Sequence, residues 1–254
     1  MSHALSGAAW AFCWGMLASA GLIAGALLGL ATHFGHRAIA AVMSLGAGVL
    51  LSLASAEIAS EALELIAPVI VLAGVLAGGA AFSIANAALA SVKDRKRCGE
   101  CVPQPTEANA PGTGTSIAVG TALDAFPEAL ILGVSLRAGG PHLVLIIALA
   151  LSNLPEALSG TSGMRLARRS VAYVLSLWSV IALGTAVTTA LAFLLLGNVG
   201  ASVTALLKAF GAGALIAMAA ETMIPEGFHN GPRYSGVLAA AGFGVLVLVG
   251  KLVH

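Results

Sequence analysis

Two copies of one short frame carry most of the polar chemistry in this chain. Asp124-Ala125-Phe126-Pro127-Glu128-Ala129-Leu130 aligns with Ser152-Asn153-Leu154-Pro155-Glu156-Ala157-Leu158, and Pro-Glu-Ala-Leu is identical in both. Asp124 and Glu128 stand at i and i+4, as do Ser152 and Glu156. On a helix that spacing stacks two side chains on one face, so two such helices can offer paired oxygen donors to each other. Asn153, one position after Ser152, adds an amide carbonyl from a slightly rotated direction. Oxygen donors grouped in this way suit a hard divalent cation or a set of bound protons. Each proline removes an amide donor and crowds the preceding turn, which frees the carbonyls of Leu123 and Leu151.

The helices that must position these frames belong to an apolar chain. Of its 254 residues, 59% are apolar and 9% charged, with a mean hydropathy of +0.98. A soluble domain carries about 25% charged residues, so the solvent here is lipid. A net charge of +1 and 5% aromatics offer no basic field or stacking platform for nucleic acid. The 31 glycines suit membrane helices that pack closely through small side chains. Cys13 in the first apolar run, with Cys98 and Cys101 in a loop, does not make a disulfide framework. No Lys or Arg precedes the first apolar run, which argues against a cleaved signal peptide.

Apolar runs of about 20 residues predict eight membrane spans: Ala8 to Ala31, Ile39 to Leu63, Pro68 to Val92, Ser116 to Leu136, Leu143 to Met164, Val171 to Leu196, Val203 to Glu226 and Tyr234 to Val253. The expected architecture is therefore a single all-α integral membrane domain over 1–254, with 93–115 as a cytoplasmic loop. Nine Lys and Arg fall after spans one, three, five and seven, against three on the other side. The positive-inside rule then puts both termini on the non-cytoplasmic side of a cell (inner) membrane.

Span two contains Leu45-Gly46-Ala47-Gly48-Val49-Leu50-Leu51 and ends at Glu61, while span seven contains Phe210-Gly211-Ala212-Gly213-Ala214-Leu215-Ile216 and ends at Glu226, an offset of 165 residues throughout. The two spans run in opposite directions, so spans one to three and six to eight read as inverted repeats around the central pair, spans four and five. Secondary transporters are built this way, with sites near the midplane.

At 1.5 Å per residue, Glu128 lies about 18 Å and Glu156 about 20 Å into their spans, near the middle of a core about 30 Å thick. Asp124, Glu128 and Glu156 together cost roughly 7–10 kcal/mol there on insertion scales. No Lys, Arg or His lies at matching depth, so bound metal, bound protons or both must supply positive charge. Protonated acids hydrogen-bonded between helices are the structural alternative.

These two consecutive frames, after a long loop in an eight-span chain with both ends out, resemble the ZIP family of divalent metal transporters. Ala219-Ala220-Glu221-Thr222-Met223-Ile224-Pro225-Glu226 in span seven is similar to its family counterpart. The resemblance implies uptake of Zn²⁺, or of Mn²⁺, Fe²⁺ or Cd²⁺, toward the cytoplasm by alternating access, through a site in spans four and five. Asp124, Glu128 and Glu156 would be the ligands, with Asn153 and Ser152 weaker and Glu221 and Glu226 as further candidates. The family usually has His at the positions of Asp124 and Ser152 and Asn at that of Ala125, so this site is harder than a usual zinc site. Metal binding displaces protons from carboxylates, which makes transport pH-sensitive. The Gly-rich spans admit a homodimer.

Other features are less specific. Glu57, Glu61 and Glu64 cluster at the outer end of span two, and Glu61 and Glu226 would occupy symmetry-related mouths that concentrate cations. His229 could pass an ion onward. Cys98-Gly99-Glu100-Cys101 is a lone CxxC, a transient metal acceptor or sensor element at most. Gly160-Thr161-Ser162-Gly163 matches an intramembrane serine protease motif, but every His falls in a loop or at a terminus, so no general base is expected beside Ser162 and no enzyme is predicted. Two other functions compete with metal transport: a proton-coupled carrier of an organic solute, and a non-transporting metal sensor of ZIP shape.

Overall fold

Backbone amides surrounded by apolar side chains are best satisfied within helices, and each apolar run in the sequence is helical in the computed structural model. The structure describes residues 2–90, 113–139, 143–196, 199–229 and 231–253, and no strand occurs among them. The first run is α1 (Ser2–Ala18) followed by α2 (Ala20–Ala31). The second is α3 (His36–Ser52), a π-helical segment (Leu53–Ala59) and α4 (Ser60–Leu65). Then come α5 (Pro68–Ala90), α6 (Thr113–Gly139), α7 (Leu143–Leu166) and α8 (Val171–Leu195). α9 (Ala201–Met218) leads through a second π-helical segment (Ala219–Met223) to α10 (Ile224–His229), and α11 (Ser235–Val253) completes the chain. Cys98 and Cys101 lie outside the described residues.

Among the described residues, seven helical stretches are long and apolar enough to cross a membrane: Ser6–Ala31, His36–Ser55, Pro68–Ala88, Leu143–Leu166, Val171–Leu195, Ala201–Phe228 and Ser235–Val253. α6, the expected fourth span, is a helix of 27 residues that carries Asp124, Glu128 and Arg137. It has an inner position. Asp124, Glu128, Ile131, Leu132 and Leu136 on it are all buried.

Close backbone approach organises the packing. Gly21 and Gly25 on α2 face α7, where an added Cβ would stand 1.9 Å from the Ala150 carbonyl oxygen and 2.2 Å from that of Leu154. The same device is reciprocal in two other pairs. Gly48 on α3 faces the Ala239 carbonyl and Gly242 on α11 faces that of Leu45, while Gly78 on α5 faces the Phe210 carbonyl and Gly213 on α9 faces that of Val75. Packing thus sorts the helices into two groups, α1, α2, α6, α7 and α8 in one and α3, α4, α5, α9, α10 and α11 in the other. They meet chiefly where α3 crosses α7 and α6 crosses α9.

Two details depart from the expected spans. The first span breaks at Ser19, whose hydroxyl donates back to the Gly15 carbonyl at 2.8 Å, a bond that bends helices. Both Gly-Ala-Gly helices run into π-helical segments, which are uncommon and frequent at functional sites. Pro127 and Pro155 lie inside α6 and α7 without ending them. Pro155 packs on Gly46, where a Cβ would stand 2.6 Å from the ring.

Candidate metal centre

The i, i+4 spacing of the two Pro-Glu frames turns their polar residues inward. Asp124 and Glu128 on α6, and Ser152 and Asn153 on α7, are buried, and Glu156 is half-buried. The Ser152 hydroxyl approaches Glu128 Oε1 at 3.5 Å and also donates to the Leu149 carbonyl at 3.0 Å. Asn153 also hydrogen-bonds Glu128, and Asp124 is near enough to act on that carboxylate through its charge. Asn153 Nδ2 further donates to the Ala18 carbonyl at 3.3 Å, tying the site to the end of α1. Glu128 Oε2 is buried with no hydrogen-bond partner among the described residues. An orphaned carboxylate oxygen costs desolvation that a bound cation or proton would offset, so these residues fit either one.

Beside this cluster lies a cavity of about 40 Å³, lined by Asp124 of α6, Glu156 of α7 and Glu226 of α10. Thr121, Ser159 and Thr222 add hydroxyls to its wall, and Met43, Met223 and Trp178 add apolar surface. Ser159 Oγ donates to Glu226 Oε2 at 3.3 Å. A water needs about 10–15 Å³, so the space has room for about three waters or an ion of similar size. Among the described residues, no three His, Cys, Asp or Glu side chains stand in a metal-ligating group. The carboxylates are not gathered at one point, and Glu128 lies outside the lining of the cavity that holds the other three.

The other candidates divide. Glu226, expected at a mouth, joins the cavity. Glu221, five residues earlier in the π-helical segment, is directed to α5, where it accepts from Ser83 Oγ and from Asn86 Nδ2, the latter at 2.8 Å. The structure does not bring it to the site. Glu61 on α4 is ion-paired with Lys208 on α9. The His229 and Glu57 side chains lie outside what is described.

Sequence reasoning missed the hydroxyl wall and Trp178. Thr121 precedes Asp124 by three residues and Ser159 follows Glu156 by three, so extending the same helical face would have found both. Trp178 donates from Nε1 to Thr161 Oγ1 at 2.9 Å, and Gly160 leaves room for its ring. A buried indole needs such an acceptor, and Thr161 belongs to the Gly-Thr-Ser-Gly stretch that resembled a protease motif. Ser162 does share a pocket of about 270 Å³ with His33 and His36. His33, however, faces Arg165 Nη2, at 2.8 Å from Nε2 and 3.3 Å from Nδ1, and a ring nitrogen accepting from a guanidinium cannot take a proton from a hydroxyl.

No protein-family model matches the chain, and no curated protein matches its sequence.

Proposed function

We propose that this chain is a ZIP-like carrier of divalent metal cations, with eight membrane spans, that moves ions toward the cytoplasm through the site between α6 and α7. The observation that carries this reading is a group of oxygen donors inside the helix bundle: buried Glu128 and Asp124 on α6, with Asp124 sharing a small polar cavity with half-buried Glu156 and Glu226. Glu128, Glu156 and Asp124 hold the ion, Ser152 and Asn153 orient Glu128, and Glu226 receives the ion on its way out. Zn²⁺ is the first candidate on resemblance. Mn²⁺ and Fe²⁺ follow, because every donor is oxygen.

The inverted repeat is part of the proposal, and the packing supports it. At an offset of 165 residues Gly46 and Gly48 correspond to Gly211 and Gly213, and a π-helical segment follows each pair at corresponding positions. Gly48 packs on α11 while Gly213 packs on α5, and Gly46 faces α7 while Gly211 faces α6. Exchanging spans two with seven, three with eight and four with five reproduces this pattern.

A cavity of about 40 Å³ favours a cation over an organic solute, because sites for drug-sized ligands measure roughly 300–1,000 Å³. The deciding experiment is uptake of ⁶⁵Zn or ⁵⁴Mn into proteoliposomes. Uptake that is abolished by replacing Glu128 and Glu156 with Ala supports the reading; uptake unchanged by those substitutions refutes the site, and pH-driven flux without bound metal refutes the cargo.

A further inference from the structure

The two acids that the repeat places in equivalent positions have opposite surroundings. Glu226 lines the cavity beside Met43, with Ser159 donating to it. Glu61, its counterpart, accepts from the Lys208 ammonium on α9. Lys208 is itself the counterpart of Met43 at the same offset of 165 residues. Beside the two acids the ends therefore differ in charge at one repeat position, methionine on one side and lysine on the other.

Lys208 is held where it is. Its side chain is 8% exposed, against 38% for that of Glu61. Ala62, Val71, Ala205 and Ala209 form the apolar cluster packed between α4, α5 and α9 beside it. An ammonium in such a place gains little by leaving its carboxylate, since the alternative is an unpaired buried charge. The hydroxyl wall of the cavity is also not repeated in the other Pro-Glu helix. The counterparts of Ser159, Gly160 and Thr121 in the other Pro-Glu helix are Ile131, Leu132 and Leu149, all buried aliphatics.

A carboxylate at a mouth raises local cation concentration, and a bound ammonium cancels that field. We propose that Lys208 is a tethered competitor cation: it neutralises Glu61, sets the apparent affinity for divalent ions arriving from that face, and makes the two faces of the carrier unequal. The proposal rests on the metal-carrier reading and adds its sidedness. It does not require Lys208 to touch the transported ion.

The test uses the full chain in proteoliposomes with ⁵⁴Mn, comparing wild type, Lys208→Met, Lys208→Arg, Lys208→Met/Glu61→Gln and Met43→Lys. Lys208→Met, which copies the residue at the other end, is expected to lower the KM for uptake from the Glu61 face about fivefold, the scale of one screened charge at a mouth. Lys208→Arg should keep the wild-type KM, and the double variant should lose the gain. Met43→Lys should weaken capture from the opposite face. An unchanged KM in Lys208→Met, or the same gain with and without Glu61, overturns the proposal. If Lys208→Met fails to fold, Lys208→Gln is read in its place by the same criteria. A wild type without ⁵⁴Mn flux refutes the carrier reading alone. Mn²⁺ binding, read by the loss of the free Mn²⁺ resonance in detergent, then decides the Lys208 proposal in a Glu128→Ala/Glu156→Ala background. Binding gained with Lys208→Met and lost again with Glu61→Gln supports it, and no gain overturns it.

Discussion

Ser152 of α7 and Glu128 of α6 meet side chain to side chain, Oγ to Oε1 at 3.5 Å, so the two Pro-Glu helices touch through the site itself. Ser152 stands in the frame position that Asp124 occupies on the other helix. One frame supplies a second acid, and the other a hydroxyl that steadies the first helix's glutamate.

Glu128→Gln keeps the shape and removes the charge, so uptake of ⁶⁵Zn should fall steeply while the protein remains folded. Loss of an outer partner of a metal ligand costs about 10–100-fold in affinity, and loss of a ligand at least that. Ser152→Ala should lie at the lower end of that range. Comparable effects from both, measured as KM and maximal rate, would mean that Ser152 is itself a ligand.

Gly25→Ala should destabilise the bundle. The new methyl would stand 2.2 Å from the Leu154 carbonyl oxygen, which requires α2 and α7 to separate, and overpacking of this kind costs about 1–3 kcal/mol. Gly184→Ala on α8 is the control, because nothing lies within 4 Å of its added Cβ. Melting of the two variants in detergent should show a loss for Gly25→Ala only.

The helices were legible because an apolar run is a local property: each expected run coincides with a helical stretch to within about six residues at its ends. The break at Ser19 was not, since a serine hydroxyl returning to the previous turn leaves no mark in hydropathy. The central acids were legible from the i, i+4 repeat. Glu221 and Glu226 could have been separated as well, because five residues at 100° each turn side chains about 140° apart on a helix; the structure sends one to α5 and the other to the cavity. The pairing of Glu61 with Lys208 joins positions 147 residues apart, and no local pattern announces it.

Arg165 closes the end of the α2–α7 pair. Its Nη1 donates to the Gly29 and Thr32 carbonyls at 2.6 and 2.7 Å, two of the acceptors that a helix C-terminus leaves unsatisfied. Arg165→Lys keeps the charge but loses the fork, and charge-assisted bonds contribute about 1.5–3 kcal/mol each. Hydrogen exchange over 29–35 should rise several-fold in this variant. If exchange stays at the wild-type rate, the guanidinium contributes nothing to that helix end.

If the chain is the carrier proposed above, Asp124→His should change which metal it prefers. Asp124 is buried but lines the cavity, so a larger ring has space there, and an imidazole nitrogen in an otherwise oxygen site favours Zn²⁺ over Mn²⁺. Ser152 is fully buried and is absent from the cavity wall, so Ser152→His adds a ring where there is no room and should lower stability by about 1–3 kcal/mol. The ratio of ⁶⁵Zn to ⁵⁴Mn uptake should therefore rise about tenfold or more in Asp124→His, on the ordering of divalent affinities at nitrogen donors, while Ser152→His shows mainly a lower melting temperature. An unchanged ratio in a folded Asp124→His protein would remove Asp124 from the coordination sphere and leave Glu128 and Glu156 as the carboxylates that hold the ion.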